Sequence, residues 1–525
     1  MSPLWGSRNH EEPGAEEEHG ENEATERRQR RGEPTERTRL LAQGVYLDPD
    51  DPGVSPYNLW SVRALRSLNI LFLIITLIWW IVLLASTFVS PPGMNSRGPG
   101  FLDFSFATLT MGNLLIALIF FSVPSKPMTI WGTVLSLFLA VNLFIIVGVR
   151  RLRIEEGWVG IASATWATVV SLYLLAQTRF VAWGKREEEE RLTGREETRR
   201  TLREWFAVLL ETIVVIVTAL ATVLLMATLI VRAKDAGLPA PGKKYYVDNG
   251  KYQIHLDCVG AAPSMAANKR SATVLLEAGE MPVEDSFRSW VHEAYRNGSI
   301  DRYCYWDRPG IGWSDNAPSP HSAGMSADVL SETLALADIK GPWVVVSAGV
   351  GGIYSRIFAS RHAADVTGLM LIDALHEDLL PELGKPGRGF KLWLRGIFSP
   401  LGLDSLAGAI FKGRTREDRV YGKVAYQNGK FIKAKLQENL VADSTTKSEI
   451  SSAKNIQSPS MQLVVVSSGI EVRRNQKWAD KQKELTNITD NLVAWDIVKN
   501  APHEVWRADN GKALLGDRLK KLVKP

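Results

Sequence analysis

Five stretches of this 525-residue chain are free of charged side chains: Leu68–Val89, Phe104–Val123, Met128–Val149, Gly157–Thr178 and Thr212–Val231. Each reaches the roughly 20 residues that a helix needs to cross about 30 Å of hydrocarbon. Five such segments in a row, with short connections, argue against a soluble helical domain and predict a multi-pass transmembrane region over residues 61–235. Tryptophans cluster near their ends (Trp60, Trp131, Trp158, Trp183, Trp205), as interface anchors do. The acids Asp103 and Glu211 sit near segment ends, where snorkelling or an interface position accounts for them. Broken half-helices and mid-bilayer charge are missing, so the region reads as an anchor or partner-binding bundle rather than a transport path.

Residues 1–60 are rich in Glu, Arg, Pro and Gly and lack aliphatic periodicity, which predicts a disordered tail. The acidic run Glu16, Glu17, Glu18 argues against a mitochondrial transit peptide, and no apolar core near Met1 offers a cleavable signal. Between the fourth and fifth segments, KREEEERLTGREETRRTLREW from Lys185 places Glu187 and Arg191, and Glu196 and Arg200, four apart. That spacing predicts a solvated, salt-bridged helix. Its basic residues assign it to the cytosol, which puts the C-terminal region on the lumenal or extracellular side. Arg150, Arg151 and Arg153 then fall on the side the charge rule disfavours. Two glycosylation sequons, Asn297-Gly298-Ser299 and Asn487-Ile488-Thr489, agree with a lumenal C-terminal region. Nothing in the sequence names the organelle, the oligomeric state or a protein partner.

After a linker at 236–244 the pattern changes to short β-runs alternating with helical stretches. These include ATVLLEAG (272–279), YCYWDRPG (303–310), WVVVSAG (343–349), LMLID (369–373), MQLVVVSSG (461–469) and LVAWDIV (492–498). Near-continuous apolar strands that end in Gly or Asp predict a mostly parallel sheet covered by helices on both faces. Ligands in such sheets bind beyond the carboxyl ends of the strands. A formal charge of +5 with mixed signs offers no basic face for nucleic acid. Two cysteines allow at most one bridge, and the absence of Cys/His clusters argues against a zinc site. No cofactor is expected.

Taken together, EAGEMP after the third strand, YWDRPGIGWSD at 305–315, the 341–378 stretch and NAPHEVW at 500–506 resemble the α/β-hydrolase superfamily. The likeness covers about 245–525 and is nearest to esterase, lipase and epoxide-hydrolase-like members. The layout, multi-pass region first and hydrolase second, is similar to an uncharacterised fungal membrane family. The fold class expected is therefore a five-helix transmembrane bundle followed by an α/β-hydrolase domain with a cap at about 379–458.

The resemblance implies a site, with one departure. A nucleophile normally occupies the turn G-x-S-x-G, but here the five positions read Ser347, Ala348, Gly349, Val350, Gly351, so the nucleophile position is Gly349. The general base falls on His503. Its acid is Glu471 or Asp373, each at one of the two usual strand ends. An acid there fixes the imidazole tautomer and stabilises the imidazolium. Backbone N–H groups of Val350 and of Glu280 or Met281 are expected to form the oxyanion hole. The Glu280 carboxylate would oppose an oxyanion if it faced the pocket; it partners His503 or points to solvent. Ser347 serves as turn packing or as a displaced nucleophile, and His503 with its acid is a candidate to activate water directly. Glycine relieves the strain of the turn while deleting the attacking oxygen.

These residues imply a membrane protein with lipid-like or ester substrates and a weakened site, or a catalytically inactive scaffold that binds a lipid or protein. The cap segment GFKLWLRGIFSPLGL (389–403) is either cap core or a surface dipping into the adjacent bilayer. Cys258 and Cys304, on neighbouring strands in this fold's usual order, are either bridged or two buried thiols.

Overall fold

The computed structural model describes residues 56–94, 96–194, 202–261 and 272–524; the tail expected to be disordered lies outside them apart from residues 56–60. Among the described residues, five helices are long and apolar enough to cross a membrane. They are α1 (Trp60–Ser86), α2 (Phe101–Ile119), α3 (Lys126–Gly148), α4 (Arg150–Thr193) and α5 (Leu202–Asp235). Ser125 caps α3 by accepting from the Met128 amide, with Pro127 in the first turn where its missing N–H costs nothing. Helix α4 bends at Gly157 and runs on through the charged segment to Thr193, joining what the charge pattern had divided. In that segment Arg191 pairs with Glu188 at 3.0 Å, three residues away, rather than with Glu187; Glu196 and Arg200 lie outside the described residues.

Asp103 and Glu211 are buried inside the bundle rather than turned out to an interface. Asp103 lies beside Glu156, which Arg232 of α5 holds at 2.5 Å while reaching Glu155 at 3.3 Å. Arg232 thus pairs across helices with the two glutamates beside Asp103.

The described residues after α5 carry one eight-stranded sheet, ordered β1-β2-β4-β3-β5-β6-β7-β8. The strands are β1 (Lys243–Val247), β2 (Tyr252–Val259), β3 (Thr273–Glu277), β4 (Tyr303–Trp306), β5 (Trp343–Ala348), β6 (Val366–Ile372), β7 (Gln462–Ser468) and β8 (Leu492–Val498). β2 runs antiparallel to both neighbours, and all other pairs are parallel. The helices that flank the strands include α6 (Phe287–Arg296), α7 (Ala323–Leu336), α8 (Gly351–Arg361), α9 (Pro386–Phe398), α10 (Leu403–Phe411), α11 (Gly429–Val441) and α12 (Asp509–Val523).

The central strands are apolar on both faces because both are covered. Leu275, Val345, Leu369, Leu371 and Val465 pack on one side with α7 and α8. Val274, Val344, Val346, Met370, Val464 and Val466 pack on the other with α6 and α12. Each such side chain contributes about 1.5–3 kcal/mol by leaving water. This is the arrangement of an α/β-hydrolase-like domain. Cys258 and Cys304 face each other in register on β2 and β4 and are bridged. Helices α9 to α11 lie in the long connection between β6 and β7.

Candidate functional site

The carboxyl ends of β3, β5 and β6, with the loop after β8, converge on one point. β5 turns into α8 at Gly349, whose φ of +49° is a left-handed conformation that disfavours a side chain. The turn is also crowded: a Cβ at Gly351 would stand 2.3 Å from the Ala278 carbonyl oxygen, so the close approach of α8 to β3 needs glycine there.

His503 follows β8, and its Nδ1 lies 2.6 Å from Asp373 Oδ2. Asp373, at the end of β6, is fully buried. Its other oxygen accepts from the Ser468 amide at 3.0 Å and from the Trp478 indole at 2.9 Å. The carboxylate is thus held by three donors, and His503 is held by the carboxylate. Of the two acids expected, the structure brings Asp373 to His503. Glu471 instead belongs to the first turn of the helix Gly469–Arg474, where its amide donates to Ser468 Oγ.

Ser347 is not brought to the site. It is buried within the sheet, with its Oγ 2.8 Å from Ser355 Oγ on α8. Alternation along β5 turns it toward that helix, away from the strand's carboxyl end. Met281 lines the open depression beside the site.

Glu280 decides the chemistry. Its Oε1 accepts from the Val350 amide at 3.2 Å, the donor expected to serve an oxyanion hole. Its Oε2 lies 3.4 Å from His503 Nε2. A Cβ built on Gly349 would stand 2.6 Å from Glu280 Oε2, so the carboxylate fills the space a nucleophile's side chain would use. Burial alone would raise the Glu280 pKa, but the hydrogen bond and charge of His503, with Lys435 and the Val350 amide, bring it down to about 2. Burial would likewise lower His503, yet Asp373 and Glu280 together raise it to about 10. The resting pair is an imidazolium and a carboxylate. The Glu280 side chain is 52% exposed, so water screens part of this attraction.

Arg308, which sequence reasoning left without a role, positions Glu280. Its guanidinium donates to the carbonyls of Ala278 and Gly279 at 2.6 and 2.5 Å and to Glu277 Oε1 at 2.6 Å. Burial raises Glu277 to about 7 even with Arg308 beside it. Lys435 of α11 pairs with Glu438 at 2.8 Å, and Arg308 lies over the Tyr354 ring at 4.4 Å. An arginine directly before Pro309, just past a buried strand, was the available signal in the motif YWDRPG. The space beneath α11 is therefore occupied by paired charges. Outside it, a depression of about 510 Å³ reaches His503 and Glu280 between Phe287, Tyr426 and Trp506.

Residues 25–258 match a family model described as a region of unknown function (DUF2417). The uncharacterized protein C23C11.06c of Schizosaccharomyces pombe is 34% identical over 506 residues, covering 90% of this chain and 92% of that one. The uncharacterized vacuolar membrane protein YNL115C of Saccharomyces cerevisiae is 29% identical over 325 residues, 53% of this chain and 50% of that protein. Among solved structures, MGS-M2, an α/β hydrolase from a deep-sea metagenome library, is similar over 53% of this chain and 96% of its own, at 13% identity and a TM-score of 0.39. With five helices apolar enough to cross a membrane and a mostly parallel sheet of hydrolase-like order, the chain belongs to the family of the Schizosaccharomyces pombe protein C23C11.06c.

Proposed function

We propose that this is a five-pass membrane protein whose hydrolase-derived domain is a catalytically silent scaffold. It binds a lipid-like or protein partner at the depression over His503. The seating of the Glu280 carboxylate carries this reading. A serine hydrolase needs an attacking oxygen, a neutral imidazole and empty oxyanion donors. Here Gly349 supplies no oxygen and the Val350 amide is already bonded to Glu280. With His503 raised to about 10, the imidazolium is the favoured form at pH 7, and the neutral base is scarce.

The test treats the full chain, in detergent, with a fluorophosphonate probe and a panel of short- and long-chain esters. The native protein is expected to be inert. The double variant Gly349→Ser/Glu280→Ala, which restores the oxygen and vacates the donors, is expected to label. Native turnover that disappears in His503→Ala would overturn the scaffold reading. It would support the second one, water activated by the 2.6 Å Asp373–His503 pair, which is retained intact.

We place the hydrolase domain on the lumenal side of a vacuole-type membrane, extending the location of the Saccharomyces cerevisiae relative to this chain. Three observations support the side. Cys258 and Cys304 are bridged, as an oxidising compartment allows. Asn297 and Asn487 are both exposed acceptors. Arg151, which offends the charge rule, is paired with Glu155 at 3.1 Å and lies over the Trp313 ring, so it is no free cytosolic charge. Endoglycosidase treatment should reduce the protein's apparent mass, by less in Asn297→Gln; an unshifted native band would put the domain in the cytosol.

A further inference from the structure

Helix α9 has two unlike faces. Its inner face is tightly seated: a Cβ on Gly396 would stand 2.2 Å from the Phe101 ring at the start of α2, so only glycine permits this approach. Trp393 meets the ring of Phe88, just past α1, and Ile397 packs against the cluster of Leu83, Phe104 and Val159 from α1, α2 and α4. The cap helix therefore rests on the ends of the apolar helices. α10 follows alongside α5, with Gly402 at its start against Thr228.

The outer face carries Phe390, Leu394 and Phe398, all exposed and spaced four apart; α10 adds Leu403, Ile410 and Phe411, also exposed. Large apolar side chains turned outward in this way need a nonaqueous neighbour. They continue the outward apolar surface of the bundle itself, where Phe88, Val89, Trp158 and Ile230 are exposed. Beside them an open groove of about 710 Å³ is lined by Lys385, Arg388, Lys391 and Arg395 and by no carboxylate among the described residues. Basic residues flanking an aromatic, apolar helix face match an interfacial helix lying in a leaflet that contains anionic lipid.

We propose that α9 and α10 form a second membrane contact, immersed in the interface beside the bundle, with the phosphate of an anionic phospholipid seated in the four-cation groove. This rests on the reading that α1 to α5 cross the bilayer. It gives the cap a fixed depth and brings the His503 depression close to the lipid surface.

Single cysteines at Phe398, Phe411, Leu336 and Ile216 report on it, since Cys258 and Cys304 are bridged and do not label. Each full-length variant carries an environment-sensitive fluorophore in vesicles of phosphatidylcholine, or of equal phosphatidylcholine and phosphatidylserine, with doxyl-lipid quenchers. Phe398→Cys and Phe411→Cys should be blue-shifted and quenched by shallow doxyl groups, Ile216→Cys by deep ones, and Leu336→Cys by neither. Quenching at Ile216 without quenching at Phe398 and Phe411 overturns the second contact and leaves the spanning reading intact; no quenching at Ile216 overturns the spanning reading itself. Spin-labelled phosphatidylserine should associate more strongly than phosphatidylcholine, losing about fivefold for each charge removed in Arg388→Gln, Lys391→Gln and Arg395→Gln. Equal association of the two lipids with the native protein would remove the headgroup from the groove.

Discussion

His503–Asp373 and His255–Asp307 are both histidine–aspartate pairs of this domain, and the sheet treats them differently. His503 Nδ1 meets Asp373 at 2.6 Å, and its other nitrogen faces the depression, where Glu280 waits. His255 Nδ1 meets Asp307 at 2.9 Å, and its other nitrogen is 2.7 Å from the Pro241 carbonyl. His503 is 35% exposed and His255 is sealed. The pairs share their chemistry but not their second nitrogen. An imidazole with both nitrogens spent on buried partners is a strut, here tying the linker to β2 and the loop after β4. One whose second nitrogen opens on a cavity is a site, and Glu280 has turned that site halfway back into a strut.

The largest expected effect tests the strut. His255→Ala removes one partner of a fully buried pair and leaves Asp307 holding the Trp313 amide alone on that oxygen. The cost should be about 3–5 kcal/mol of stability, read by thermal unfolding of the full chain in detergent. Equal costs for His255→Ala and His503→Ala would erase the distinction.

Much of this was legible in the sequence, for reasons that residues make plain. The five apolar helices and the central strands announce themselves because lipid and a doubly covered sheet both demand unbroken apolar runs. His503 stood out because it follows the last strand in a recognisable motif. What escaped were decisions made in three dimensions. Asp373 over Glu471 depends on which strand end faces the imidazole. Whether Ser347 points into the core depends on strand alternation relative to a turn. The inward swing of Glu280 depends on Arg308 gripping two carbonyls from another strand's loop. His255 passed unnoticed because a single histidine in a β-run carries no signal until Asp307 is folded against it.

Gly349→Ser should have a middling effect. The seryl residue must adopt φ near +49°, which costs about 1–3 kcal/mol. The crowding from Glu280 adds less, because the offending atoms end a flexible, half-exposed side chain that can swing away. Thermal unfolding should therefore show Gly349→Ser and Gly349→Ser/Glu280→Ala destabilised nearly alike. A double variant restored to native stability would mean that the clash, not the backbone, sets the cost. His503→Ala should cost less than His255→Ala, because Asp373 keeps the Ser468 and Trp478 donors and water enters from the depression.

The smallest effect separates the two histidines by pH. His503 is raised in the folded state to about 10, so its contribution to stability is complete below the unfolded value of about 6.5 and is lost as pH rises through 10. Glu280 is lowered to about 2, so its contribution is present above about 4.5 and lost as pH falls through 2. The two shifts share the Glu280–His503 contact, while Asp373 keeps His503 raised in Glu280→Gln, so native protein should exceed that variant from about pH 4.5 upward, the difference being lost as pH rises toward 10 or falls through 2. The same substitution should lower the titration midpoint of His503, followed by NMR of labelled histidine. His255, raised by Asp307 and the Pro241 carbonyl against the pull of burial, has no contact with Glu280 and should not move. An unmoved His503 would mean that Glu280 does not sit against it in solution, and the oxyanion donors would then be open.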